Sequence, residues 1–133
     1  MDIKEIAQKE IIALGLVPAK AVLIDKLDFA WNEEAEFRVT SEPTKPEGET
    51  QFGPIGETTL LGIHAIAAER QEAQDLAQKA ARAVYEKFEE LELNPRQSGI
   101  YCITRVERNT LQFNNEHAFH SFVIFNVLHR SQE

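Results

Sequence analysis

The sequence predicts a two-layer α+β fold, in which a mostly antiparallel sheet of about five strands carries two helices packed on one face. Three observations predict it. Two stretches carry apolar residues at helical spacing, and five carry the branched and aromatic runs of strands. Short polar links join several of those strands, which favours antiparallel neighbours. With 133 residues, the chain has the length of a single α+β domain spanning 1–133, and no internal repeat or low-complexity tract divides it.

The first helix opens at Asp2, which can cap it, with Glu5 three residues on in a capping-box pattern. Ile3, Ile6, Ala7, Ile11 and Leu14 then fall on one face, and Gly15 supplies the stop. After Pro18, residues 21–31 read as a strand through Val22, Ile24 and Phe29. A second strand is plainer: Ala35, Phe37 and Val39 alternate with Glu36, Arg38 and Thr40. The polar link 32–34 predicts that these two strands form an antiparallel hairpin.

Residues 41–57 hold three prolines, three glycines and few apolar side chains, which excludes a central strand. They predict a long exposed loop or a loose hairpin arm, serving either as a contact surface or as an insertion. A third strand follows over 58–68, with Leu60, Ile63 and Ile66 among apolar neighbours. A long helix over 71–91 shows Ala73, Leu76, Ala77, Ala80, Val84 and Phe88 as an alanine-rich stripe that can lie close to a sheet. Its outer face carries Asp75 with Lys79 and Arg82 with Glu86, pairs in the favourable order.

Asn94 and Pro95 end that segment, and two more strands, 100–106 and 118–128, flank the polar stretch 109–116. In the last strand Phe119, Val123, Phe125 and Val127 alternate with Phe122, Ile124 and Leu128, so both faces of the sheet call for cover. Partner subunits can supply it, or the sheet can curl, or the long loop can fold back.

The net charge of −8 lacks the basic footprint of a protein that grips phosphate backbones. One cysteine, Cys102, forbids an internal disulfide, and its place in a strand predicts a small buried hydrophobe. No basic-then-apolar leader and no long apolar run is present, which points to cytosolic synthesis and no membrane contact. His117 and His120 stand three apart on a strand, facing opposite ways, so a metal ion is not expected. FGPIGETT has the glycines of a phosphate loop without the lysine or the helix. The acidic residues Glu33, Glu34, Glu36, Glu89, Glu90 and Glu92 read as solvent-facing. No catalytic, cofactor or metal residue is expected. For an interaction surface the candidates are Trp31 and Phe52, large apolar side chains near loops, with Lys45, Glu47 and Ile55 on the 41–57 segment. The alternative for Trp31 and Phe52 is that each caps the domain's own core.

The opening helix DIKEIAQKEIIALG, the strand running into ERQEAQDLAQKAARAVYEKF, and the closing strand FHSFVIFNVLHR after a polar turn together span nearly the whole chain. In this order of elements the chain resembles the tail terminators of long-tailed bacteriophages, also called minor capsid or tail completion proteins. The resemblance implies a non-enzymatic virion protein, assembled in the host cytoplasm, whose homo-oligomeric ring, commonly a hexamer, caps the tail tube. It implies the tail tube protein and a neck or stopper protein as partners, and duplex DNA passing through the lumen without specific binding. A domain of this size has a diameter of roughly 36 Å, so six in a ring leave a hole of about that width, ample for duplex DNA. An acidic lumen would let DNA pass without sticking. The other readings are a different neck component, stopper or adaptor, and a small cytosolic dimeric ligand-binding protein or enzyme.

Overall fold

The computed structural model describes residues 2–43, 47–50, 53–113 and 117–130, with the backbone alone at 47–50 and 53–55. Helix α1 (Ile3–Leu14) begins where the sequence places it: the Asp2 carboxylate accepts a hydrogen bond from the Lys4 N–H at 2.9 Å. It ends at Gly15, whose left-handed backbone (φ 67°) lets its N–H turn back to the Ile12 carbonyl. Ile3, Ala7 and Ile11 are buried, one residue per turn, whereas Leu14 at the frayed end is exposed. A short 3-10 turn, Ala19–Ala21, leads into β1 (Val22–Ile24).

Here the chain departs from the strand expected over 21–31. Asp25 adopts a left-handed backbone (φ 59°), which no strand tolerates, so β1 stops at Ile24. The link to β2 (Glu36–Pro43) is therefore residues 25–35, long enough for the chain to swing round, and β1 pairs β2 in parallel, Val22 opposite Phe37. The expected antiparallel hairpin is not formed.

The remaining pairings are antiparallel. β2 pairs β4 (Gly53–Ala67), and β6 (Phe119–His129) lies between β4 and β5 (Ile100–Gln112), in the order β1-β2-β4-β6-β5. The sheet is thus mixed. β3 (Glu47–Thr50) pairs only the first residues of β4, making with them a two-stranded arm that leaves the sheet within the 41–57 segment. β5 is longer than expected, running through polar Asn109, Thr110 and Gln112, because as an edge strand it can keep such residues in water. Register shifts at Ile100/Cys102 and Arg105/Glu107 mark bulges along it.

Both helices cover one face. α2 (Arg70–Glu92) buries Ala73, Ala77, Ala80, Ala81, Val84 and Phe88, and all but Ala73 join Ala7 and Ile11 of α1 in one cluster with Phe37, Val39, Leu61, Ile63, Val123, Phe125 and Val127 of the sheet. Alanine at the contact lets the helix sit close to the strands. The Glu92 carboxylate accepts from the Ile103 N–H, tying the end of α2 to β5, and a four-residue α3 (Pro95–Ser98) turns the chain into that strand. No helix among the described residues is long and apolar enough to cross a membrane.

Candidate functional site: the face of the sheet away from the helices

Alternation along β2, β4 and β6 sends Phe37, Val39, Leu61, Ile63, Val123 and Phe125 to the helices, and therefore Glu36, Arg38, Thr40, Gly62, His64, Ile66, His120 and Phe122 to the opposite face. That face is apolar in part, as the sequence indicates, but its upper half is not left open. The 25–35 link crosses it. Arg38 is the anchor: its guanidinium donates to the main-chain carbonyls of Asp28 and, at 2.7 Å, Ala30, and to Glu36 at 2.7 Å in a buried ion pair whose two side chains are 6% and 5% exposed. A buried charge survives only when its donors are spent in this way. The same guanidinium lies 5.4 Å from the centre of the Phe113 ring.

Around Phe113 a second small core gathers, with Ile66, Ala118 and Trp31. Trp31 meets Phe113 edge-on at 6.5 Å, Phe29 meets it at 5.7 Å, and the indole N–H of Trp31 donates to the Glu34 carbonyl at 2.7 Å. Trp31, half-buried, thus packs against the domain's own residues.

Beneath the link lie two histidines. His64 Nδ1 and His120 Nε2 are 2.7 Å apart, the rings stack with centres 4.9 Å apart, and His64 Nε2 bonds the Thr40 hydroxyl at 2.9 Å. Burial, then the neighbouring His120 and Arg38, lower the pKa of His64 from 6.5 to about 4. Burial and Arg38 lower that of His120 as well. Both rings are neutral at pH 7, with one hydrogen between the two facing nitrogens. A Cβ at Gly62 would come within 2.6 Å of His64 Nε2 and of the Thr40 hydroxyl, so a side chain there would displace this pair. A cavity of about 220 Å³ opens over these rings, walled by exposed Leu27 and Phe29 on one side and Leu111 and Phe113 on the other.

Of the residues proposed from sequence for contact, Trp31 is the one whose side chain the structure describes. Lys45 and Phe52 lie outside the described residues, and Glu47 and Ile55 are described only by their backbone, in the arm. Ile55 stands eleven positions along β4 from Ile66, where Trp31 packs, a separation of roughly 35 Å at ordinary strand rise. Cys102 is exposed, not buried as expected, because β5 is the sheet edge and the register shift between Ile100 and Cys102 sets it opposite Leu128, on the face away from the helices. His117 is exposed, and His120 meets His64 across the strands instead. His129 is turned inward, with Nε2 on the Thr59 hydroxyl at 2.8 Å and Nδ1 on its neighbour's carbonyl, Arg130, at 2.9 Å. Among the described residues no three His, Cys, Asp or Glu side chains come together as a metal site would need.

The cluster of Arg38, His64 and His120 was missed as a unit. Its signal was a charged residue at alternate positions of β2 and a lone histidine inside the apolar run of β4, but no local pattern says that those strands are neighbours.

No protein-family model and no curated protein matches the chain. Among solved structures it is similar to a chain of the virion of native gene transfer agent (GTA) particle, with a TM-score of 0.58 and 11% sequence identity, over 94% of this chain and 92% of that one. At that identity the likeness establishes a shared fold, reaching from end to end of both chains.

Proposed function

We propose that this chain is a structural component of a phage-like particle, and within it a tail terminator: a subunit of a ring, of six copies, that caps the tail tube and joins it to the neck. The observation that carries the reading is the end-to-end fold likeness to a chain of a GTA virion, since neither molecule has a large unmatched part in which a different role could reside. The sequence pattern of opening helix, long helix and closing apolar strand points to the same family. The geometry fits assembly better than chemistry: the polar cluster on the sheet is consumed by its own hydrogen bonds, while β5 is an edge strand and Leu27, Phe29 and Leu111 form an exposed apolar rim. Tube and neck proteins are the partners in this reading, the particle is its location, and duplex DNA passes through the lumen unbound.

The test is to image particles assembled with and without the chain. A six-fold ring at the head-proximal end of the tail, missing when the gene is deleted and accompanied by tubes of irregular length, is the expected result. Particles of unchanged composition and normal tails after deletion would remove the reading.

A further inference from the structure

Several basic side chains, Lys9, Arg70, Lys79 and Arg108 among them, form none of the ion pairs seen among the described residues. Two such groups sit together. Arg70, the first residue of α2, and Arg108 of β5 line one cleft of about 290 Å³ between the helix and the sheet edge. Among the described residues neither side chain makes a hydrogen bond or an ion pair. The wall between them is polar and already ordered: Gln74 Nε2 donates to the Thr110 hydroxyl at 3.2 Å, that hydroxyl donates to Ser121 Oγ at 3.2 Å, and the Thr110 N–H donates to Asn109 Oδ1 at 2.8 Å. Two guanidiniums lining one cleft repel each other, and each presents a planar fork of donors that fits a carboxylate.

We infer that this cleft is an interchain docking site that takes carboxylate side chains of a second copy of this chain along the β5 edge. Charge complementarity selects the occupant, because a copy brings a net charge of −8 to a pair of unmatched arginines. The edge supports it: β5 closes the sheet order with one side of its backbone unpaired by any described strand, and Val106 and Leu111 along it are 57% and 49% exposed. Such a contact joins one surface of a copy to a different surface of the next, the arrangement that closes rings. The choice of a second copy rests on the ring reading above.

Sedimentation velocity over a range of protein concentrations, at low and at high salt, tests it on four proteins. These are the wild type, R70E/R108E, the milder R70Q/R108Q, and K9E/K79E, which makes the same charge change at exposed lysines of α1 and α2. Thermal melts check that each is folded. The expected result is wild-type self-association that weakens with salt, a loss of about tenfold or more in R70E/R108E, a smaller loss in R70Q/R108Q, and a lesser effect of K9E/K79E. The inference is overturned if the wild type stays monomeric throughout, if R70Q/R108Q associates as the wild type does, or if K9E/K79E is impaired as much as R70E/R108E. Competition by a short DNA duplex that binds wild type but not R70Q/R108Q would also overturn it, by making the cleft a phosphate site. The two readings fail separately: charge-dependent association of a chain absent from particles sinks the terminator and keeps the cleft, and a ring at the tail end built equally well by R70Q/R108Q does the reverse.

Discussion

The contact between His64 Nδ1 and His120 Nε2 holds one hydrogen, so a second proton must break it, and Arg38 beside the pair opposes any added positive charge. Glu36 and the Asp28 carbonyl face the same guanidinium, and they are committed to it. In the unfolded chain a histidine titrates near 6.5, whereas in the folded chain His64 titrates near 4. Between those values the unfolded chain binds a proton that the folded chain refuses. The histidine contribution is therefore fully present above about pH 6.5, shrinks as the pH falls toward 4, and on the order of 2–3 kcal/mol is lost over that window. Urea unfolding at several pH values, for wild type and for a variant with His64 and His120 both replaced by Gln, measures it. The wild type should lose more stability on acidification than the variant. Equal losses in both would assign the acid sensitivity to carboxylates and leave the histidines without a part in it.

At the scale of elements, α2 decides how near the helices sit to the sheet. Ala77 and Ala80 are fully buried, so Ala80→Leu must force helix and strands apart, at a cost of about 1–3 kcal/mol in the free energy of chemical unfolding. Phe88→Ala leaves a hole in the same layer and should cost about 3–5 kcal/mol. Elements of this kind were legible in the sequence: α1 and α2 fall within a residue or so of their expected ends, because caps and a 3.6-residue period are local signals. The link 25–35 was not legible as a link. Phe29 and Trp31 read as strand residues, yet they are apolar because they pack across the far face against Phe113, a partner more than eighty residues away in sequence. Nor was the left-handed turn at Asp25 marked by a glycine, and that turn is what changes the β1–β2 pairing from antiparallel to parallel. The polar half of the site was hidden for the same reason, since Arg38, His64 and His120 meet only through strand order.

For the molecule as a whole, the two ends of β4 do different jobs. One end is built into the sheet between the two apolar clusters, and the other runs out to pair with β3 in the arm. If the arm is held by its own β3–β4 pairing alone, replacing residues 44–52 by a short Gly-Ser turn leaves the thermal midpoint within about 2 °C of the wild type. If the arm is a contact element, the same variant fails to complete particles. A large fall in the midpoint would show that the arm instead braces the body. The position of Trp31 has an experimental consequence of its own. It is the sole tryptophan of the chain, and it belongs to the small cluster with Phe113, on the side of the sheet that the helices do not touch. Its fluorescence therefore reports the undocking of the 25–35 link, while far-ultraviolet circular dichroism is dominated by α1 and α2 on the other side. Melting curves from the two signals that coincide would show the two layers to be one cooperative unit, and curves that part would resolve a state in which the link has lifted from a still-folded helical layer.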